Sequence, residues 1–213
     1  MLGLRAAAGA CAMSAYQYSE YYFGHLVPIW NMLFQGLKGK PQKILEIGSF
    51  EGGSTVWMLE NFLSNGGEIH CIDHWQGGAE HSAVPMDEVE RRFDHNVALA
   101  LPKTKQAKFE KHKGPSAGVL AKLIAGGHAG SFDFVYVDGS HEAADVLADL
   151  VAAFQLCKVK GFIVCDDYLW GYEDNLRTSP KLAIDSFINC YNNKLQIPPK
   201  TPLYQMYLIK TRE

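Results

Sequence analysis

The chain has 213 residues, of which 47% are hydrophobic and 20% are charged, and its formal net charge is −3. This length and composition suit one sizeable α/β domain, with or without a small appendage. The slightly acidic charge argues against a nucleic-acid partner, which needs a basic stripe, and no apolar run approaches the ~18 residues of a membrane span. We therefore predict a protein without nucleic-acid or membrane partners.

The chain begins with MLGLRAAAGACAMS, which contains one arginine and no strongly apolar signal-peptide segment. We interpret these residues as a frayed or transit-like leader, or as residues that precede a start at Met13. The five cysteines are odd in number and form no CxxC pair. We therefore predict reduced thiols in a cytoplasmic protein, and neither disulfides nor a zinc site.

An aromatic-rich segment follows from Tyr16 to Leu37, with a mostly helical periodicity that we expect Pro28 to break. We predict that residues 1–40 form a helical leader or lid and that residues 41–213 form the main domain. The aromatic side chains of this segment suit a cover over a substrate, the core, or the surface of a homodimer; they include Tyr21, Tyr22 and Trp30.

Apolar segments of strand length then alternate with helical segments. Strands are predicted at residues 42–48, 67–73, 107–114, 132–140 and 161–167, and a last strand at 202–210 is expected to be antiparallel. Helices are predicted at residues 54–64, 87–101, 115–127, 142–157 and 179–191. Several strands are apolar on both faces, which is typical of a parallel sheet covered by helices on both sides. The sequence therefore predicts the α/β class.

A glycine turn lies directly after the first strand, in ILEIGSFEGGST. Glycine lets the backbone turn tightly and approach a ligand, and the following helix start offers free N–H donors. Glu46, two residues before Gly48, is a poor neighbour for a pyrophosphate but suits a ligand that carries an ammonium group. Asp73 at the end of the second strand suits the two hydroxyls of a ribose. Together these features indicate a nucleoside with a cationic amino-acid tail, such as S-adenosylmethionine.

Three acids follow the fourth and fifth strands: Asp138, Asp166 and Asp167. Neighbouring parallel strands end at one edge, about 4.8 Å apart, so these carboxylates can converge. Clustered carboxylates repel one another unless a cation lies among them, and oxygen ligands favour Mg²⁺, Mn²⁺ or Ca²⁺. Alternatively, Asp138 caps a turn and Asp167 is solvated. His141, three residues after Asp138, is either a base for a substrate hydroxyl or a surface residue of a first helical turn.

These motifs resemble those of the class I S-adenosylmethionine-dependent methyltransferases, in particular the small metal-dependent O-methyltransferases of the catechol, caffeoyl-CoA and macrolide-sugar types. The resemblance covers residues 42–210 and implies a Rossmann-like, doubly wound, seven-stranded sheet that is mostly parallel with its last strand antiparallel. It implies a cofactor site at the topological switch point, built from LEIGSFEGGST, CIDHWQGG, KGPSAGVL and the first metal acid: Glu46, Gly48, Ser49, Gly52, Asp73, His74, Trp75, Gly114, Ser116 and Asp138.

The resemblance also implies a metal site at FVYVDGSH and VCDDYLWG, with Asp138, Asp166 and Asp167 as ligands. In the catechol branch, a lysine three residues after the first metal acid is the base, whereas this sequence has His141 there. Position 167 is an aspartate, which resembles the sugar-modifying branch, whereas the catechol branch has an asparagine there. The proton acceptor is therefore expected to be His141 or Asp138.

The sequence thus predicts an S-adenosylmethionine-dependent, Mg²⁺-dependent O-methyltransferase that acts on a small sugar, polyol or phenol. The segment from Tyr168 to Thr178 is expected to close over this acceptor. One alternative is an NAD-dependent oxidoreductase, which Glu46 near the turn disfavours. The other is a subunit or sensor that binds S-adenosylmethionine without catalysing a reaction.

Overall fold

Seven strands form one sheet in the computed structural model, which describes residues 15–78, 84–171 and 175–213. The strands are β1 (Gln42–Ile47), β2 (Gly67–Asp73), β3 (Lys108–Lys113), β4 (Phe132–Val137), β5 (Cys157–Cys165), β6 (Leu195–Gln196) and β7 (Met206–Lys210). Their order is β3-β2-β1-β4-β5-β7-β6. Strands β1 to β5 are parallel, while β7 is antiparallel to β5 and to β6. This confirms the predicted mostly parallel, seven-stranded sheet with a reversed last strand.

Six α-helices surround the sheet in the described part of the chain: α1 (Val27–Leu33), α2 (Gly53–Asn61), α3 (Met86–Ala100), α4 (Ser116–Leu123), α5 (Ala143–Leu156) and α6 (Pro180–Cys190). Side chains from α1, α2 and α3 pack in one apolar cluster, and side chains from α4, α5 and α6 pack in another. None of the helices in the described ranges is long and apolar enough to cross a bilayer. The sheet is therefore covered on both faces, as its apolar strands require.

Successive side chains along a strand point to opposite faces, which explains why a central strand contributes to both clusters. Phe134 and Tyr136 of β4 pack with α1 to α3, whereas Val135 and Val137 pack with α4 to α6. All four side chains are at least nine-tenths buried. Cys71, Cys157 and Cys165 are also buried, and these three and the exposed Cys190 are free thiols, as expected.

The aromatic segment before β1 packs into the core through α1. Trp30 is 0% exposed, its Nε1 donates to Gln205 Oε1 at 2.8 Å, and the Tyr136 ring meets its ring edge-on at 5.0 Å. Trp30 therefore does not cover a substrate. Pro28 lies in the first turn of α1, where a missing N–H costs nothing. The helical segment is interrupted just before it, between the 3-10 helix Tyr22–His25 and α1, so the expected break lies at the start of α1. The segment MLGLRAAAGACAMS lies outside the described residues, and the domain division at residue 40 stays a prediction.

The topological switch point lies beside β1, which is flanked by β2 on one side and β4 on the other. Ligands of open α/β sheets bind in the crevice that forms at such a point. The ladder continues beyond the strand ends: Asp138 N donates to Ile47 O at 2.8 Å, and Asp166 N donates to Val137 O at 2.9 Å. The backbone thus places the two predicted acids Asp138 and Asp166 side by side.

Candidate active site

Gly48 is the residue at which the chain leaves β1 and enters the glycine turn. Its φ is +86°, and its N–H donates to Ile72 O at 2.8 Å. A Cβ atom at this position would lie 1.8 Å from the backbone oxygen of Asp138. Glycine is required here because other residues have a Cβ and rarely adopt this φ. Its small size lets the turn after β1 lie directly against the loop after β4.

Asp73 fastens the glycine turn to the end of β2. Its Oδ2 accepts from the backbone N–H groups of Ser49 at 3.0 Å and Phe50 at 2.9 Å, and its Oδ1 accepts from Trp75 N at 2.7 Å. A carboxylate offers about four lone-pair positions, so these three bonds leave capacity for a ligand hydroxyl. Asp73 is half-buried, and its contact with a ribose stays a prediction.

Glu46 lies beneath the turn and is 0% exposed. Its carboxylate accepts hydrogen bonds from the hydroxyls of Ser49 at 2.8 Å, Ser54 at 2.5 Å and Thr55. Burial raises the pKa of Glu46, and the three hydroxyls partly oppose this rise. The predicted direct contact between Glu46 and a ligand ammonium is not compatible with this arrangement. Glu46 instead fastens the first turn of α2 to β1.

Trp75 is directed into the core rather than toward a ligand, because its side chain is 3% exposed. Its Nε1 donates to Phe50 O at 2.9 Å, and its ring packs on Phe93 with a centroid distance of 4.9 Å. The predicted position of Trp75 beside an adenosine is therefore corrected to a role under the glycine turn. His74 remains half-buried at the site, where its Nδ1 accepts from Gln76 N at 2.8 Å.

Gly114 lies next to Asp73, and Ser116 follows it by two residues; their place at the cofactor stays a prediction. Gly114 N donates to Asp73 O at 2.9 Å, which joins the ends of β3 and β2. Ser116 is the first residue of α4 and is half-buried. Asp149 is a buried acid of the neighbouring helix α5. Burial raises the pKa of Asp149 to about 6, and Ser116 partly opposes this rise.

The substitution Asp149→Asn is expected to remove part of the pH dependence of stability. The folded pKa of Asp149 is about 6 and its ordinary value is 3.8, so the folded state binds this proton more tightly than the unfolded state does. Ionisation therefore lowers the free energy of unfolding as pH rises through this range, by up to about 3 kcal/mol above pH 6. Urea unfolding at pH 5 and pH 8 should show a smaller loss in D149N than in the wild type. If the free energy of unfolding of D149N falls between pH 5 and pH 8 as much as that of the wild type and of the exposed control D87N, the expectation is contradicted.

Asp138 and Asp166 form a crowded pair of carboxylates at the ends of β4 and β5. The hydroxyl of Tyr136 donates to Asp166 Oδ2 and also lies against Asp138. Burial, followed by repulsion from Asp166 and Asp167, raises the pKa of Asp138 well above its usual range. Burial and the charge of Asp167 likewise raise the pKa of Asp166. A cation would relieve this repulsion, so the donor chemistry of the pair fits a hard divalent ion.

Asp167 turns away from this pair and contacts His141 instead. Its Oδ2 lies 2.8 Å from His141 Nε2, and its Oδ1 accepts from the Tyr204 hydroxyl at 3.2 Å. The φ of Asp167 is +54°, a rare value for a residue with a Cβ and one that often marks a functional site. The His141 ring stacks on Trp170 with a centroid distance of 4.8 Å. The structure thus joins His141 to Asp167.

No group of three or more His, Cys, Asp or Glu side chains surrounds one point as metal ligands within residues 15–78, 84–171 and 175–213. The contacts explain why, because Asp166 is engaged by Tyr136 and Asp167 by His141 and Tyr204. The three predicted metal acids therefore lie at one edge of the sheet, but they are not arranged as a ligand set.

Three residues of this site were missed at the sequence level: Tyr136, Asp149 and Tyr204. Asp149 carries a usable signal, because it lies within the apolar stripe of α5 between Val146 and Leu150. Tyr136 and Tyr204 carry none, because tyrosine is an ordinary residue in and beside strands.

Comparisons with known proteins identify the chain's relatives. A family model described as methyltransferase domain matches residues 45–168. A caffeoyl-CoA O-methyltransferase of Eucalyptus globulus is 35% identical over 167 residues, which cover 76% of this chain and 58% of that protein. An O-methyltransferase of Aspergillus hancockii is 25% identical over 138 residues, which cover 65% of this chain and 47% of that protein. The chain thus spans about half the length of the curated relatives it matches.

Solved structures share the fold at lower identity. The MycE methyltransferase of mycinamycin biosynthesis, in complex with Mg, SAH and mycinamycin VI, has a TM-score of 0.56 and 20% identity, covering 88% of this chain and 50% of that chain.

Proposed function

Because the chain belongs to the methyltransferase domain family, we propose that it transfers the methyl group of S-adenosylmethionine to a hydroxyl of a small molecule, with Mg²⁺ as cofactor. The observation that carries this proposal is the set of groups that the topological switch point brings together on the two sides of Gly48. There, Asp73 holds the glycine turn on one side of Gly48, and crowded carboxylates and His141 follow β4 and β5 on the other. A nicotinamide-dependent oxidoreductase would give these acids no role.

Residues of the glycine turn and the ends of β2 and β3 would hold the cofactor. Asp73 has capacity for a ribose hydroxyl, and the backbone at Gly48, Ser49 and Gly52 lines the turn. Gly114 lies beside Asp73, and Ser116 follows it by two residues, where the base would follow the ribose. Since Glu46 is buried, we assign the ammonium group of the ligand to the side of Gly48 that faces Asp138.

The metal would be held by Asp138 and Asp166, whereas the third predicted ligand, Asp167, is engaged by His141 and Tyr204. A divalent ion bound there would orient the acceptor and lower the pKa of its hydroxyl. The protein supplies the two crowded carboxylates, whose repulsion is greatest when the site holds no cation.

His141 would take the proton from the acceptor hydroxyl. Asp167 holds the imidazole through Nε2 at 2.8 Å, and a carboxylate in this position orients the ring and stabilises its protonated form. Asp138, the other predicted proton acceptor, is crowded by Asp166 and is assigned to the metal instead. We therefore assign the base to His141.

The acceptor would bind beside the His141 ring, next to apolar side chains that remain partly exposed: Leu169, Trp170, Leu203 and Tyr204. These neighbouring side chains suit an acceptor that is a small sugar, polyol or phenol. The named substrates of the similar proteins, caffeoyl-CoA and mycinamycin, support a small-molecule acceptor. Residues 172–174 of the predicted covering loop lie outside the described part of the chain, and the predicted homodimer stays a prediction.

The test is a methyl-transfer assay with labelled S-adenosylmethionine and a panel of catechols and vicinal-diol sugars, with Mg²⁺ and after chelation. We expect label in at least one acceptor class with Mg²⁺ and little after chelation. Cofactor binding without transfer to any acceptor would favour the non-catalytic sensor. Reduction of NAD⁺ by an alcohol would favour the oxidoreductase.

A further inference from the structure

A chain of hydrogen bonds runs from the apolar core to Asp166. Trp30 Nε1 and the Tyr207 hydroxyl both donate to Gln205 Oε1, at 2.8 Å and 2.6 Å. Gln205 Nε2 donates to the Tyr136 hydroxyl oxygen at 3.3 Å, and the Tyr136 hydroxyl donates to Asp166 Oδ2. The four side chains that precede Asp166 in this chain are each at most 1% exposed, so bulk water does not reach them.

Trp30 fixes the direction of the bonds in this chain. An indole N–H can only donate, so the atom of Gln205 that faces it must be the amide oxygen. The amide nitrogen of Gln205 therefore faces Tyr136, and it can only donate to the phenol oxygen. The phenol has one hydrogen, which this arrangement leaves for Asp166. Trp30 thus determines, through Gln205, that Tyr136 is a donor to Asp166.

Asp166 is held at both of its carboxylate oxygens. Its Oδ2 accepts from Tyr136, and its Oδ1 accepts from Asp167 N at 2.8 Å. Donors on both oxygens oppose rotation of the carboxylate, while each oxygen keeps a lone pair for another partner. Carboxylates that bind metals commonly have such hydrogen-bond partners, and removing one typically lowers metal affinity about 10- to 100-fold. A divalent ion beside Asp138 would use the remaining lone pairs.

We infer that Tyr136 is a positioning residue for the divalent ion. It fixes the Asp166 carboxylate, and Trp30 and Gln205 fix the direction of its hydroxyl from inside the core. This inference rests on the proposed function, because it requires a divalent ion at the ends of β4 and β5. It deepens that function by assigning part of the metal affinity to side chains that lie in the core behind the carboxylates.

The test counts free Mn²⁺ by electron paramagnetic resonance while each protein is titrated with the ion, which requires neither acceptor nor turnover. Tyr136→Phe keeps the ring and removes the hydroxyl, so we expect Mn²⁺ to bind about 10- to 100-fold more weakly than to the wild type. The matched control is Tyr207→Phe, which removes a buried hydroxyl from the same Gln205 oxygen but leaves Trp30 to hold it. Y207F should bind Mn²⁺ as the wild type does.

A second pair of variants covers the case in which Y136F does not fold because the Gln205 N–H has lost its acceptor. Y136F/Q205M removes both partners of that bond, which costs little when the shapes are kept. The methionine sulfur also remains a weak acceptor for Trp30 and Tyr207. Q205M alone keeps the Tyr136 hydroxyl and its bond to Asp166. We expect the double variant to bind Mn²⁺ roughly tenfold or more weakly than Q205M does.

Affinity for S-adenosylhomocysteine, measured by calorimetry without metal, separates positioning of the ion from a general loss of the site. It should be equal in the wild type, Y136F and Y207F, because neither tyrosine is among the proposed cofactor residues. Unchanged Mn²⁺ affinity in Y136F, or in the double variant relative to Q205M, overturns the inference. Equal losses of Mn²⁺ affinity in Y136F and Y207F, or equal losses for both ligands, also overturn it. A wild type that binds no Mn²⁺ contradicts the metal dependence in the proposed function instead.

Discussion

Gly48→Ala is expected to lower the free energy of unfolding by at least about 4 kcal/mol or to prevent folding. The added Cβ would lie 1.8 Å from Asp138 O, and relieving this clash requires two backbone segments to move apart that are held by the ladder between β1 and β4. The φ of +86° adds a second cost, because alanine rarely adopts it. Urea unfolding followed by circular dichroism measures the loss.

The matched control is Gly118→Ala in α4, where a Cβ would meet nothing within 4 Å. This change should raise stability by about 0.5–1 kcal/mol, because alanine has the higher helix propensity. A G48A protein that unfolds at the same urea concentration as the wild type would show that the turn after β1 does not lie against the loop after β4. In that case the geometry of the proposed site would be wrong.

His141→Gln is expected to lower kcat for methyl transfer by roughly 10²- to 10⁴-fold, the usual contribution of a general base. Cofactor affinity should remain near that of the wild type, because His141 contacts Asp167 and Trp170, which follow β5 and are not among the proposed cofactor residues. Single-turnover transfer of a labelled methyl group, combined with calorimetry of S-adenosylhomocysteine, separates these two quantities.

Asp167→Asn should show a smaller loss of kcat than H141Q, because the imidazole keeps its place but loses the charge that stabilises its protonated form. Since Asp167 is also a candidate metal ligand, its effect should be measured at saturating Mg²⁺. The control H95Q changes a half-buried histidine of α3 that contacts Ala15 O and should leave the rate unchanged. An H141Q enzyme with wild-type kcat would exclude His141 as the base.

The sheet and the positions of the loops were predictable because they depend on patterns that repeat along the chain. Apolar runs of strand length alternate with helical segments, and this alternation predicts parallel strands whose carboxyl ends share one edge. Once that edge is known, Asp73 and Asp138 must lie on either side of Gly48, as the structure shows. Strand β6 was missed because its two residues are too few to form a pattern.

Side-chain directions within the site were not predictable, because they depend on local competition for hydrogen bonds. Glu46 precedes the turn as expected, but three nearby hydroxyls draw it under α2. Trp75 follows Asp73 as expected, but a positive φ of +49° directs its ring into the core. Asp167 lies beside Asp166, and its positive φ turns its carboxylate toward His141.

The central claim is that the crevice beside Gly48 holds a sulfonium nucleoside. Calorimetry of the wild type with S-adenosylmethionine and, separately, with NAD⁺ tests it most directly. The variant Asp73→Ala removes the carboxylate that holds the glycine turn and that is proposed to bind the ribose. We predict one molecule of S-adenosylmethionine bound per chain, much weaker binding in D73A, and no heat with NAD⁺. Heat with NAD⁺ and none with S-adenosylmethionine would contradict the account.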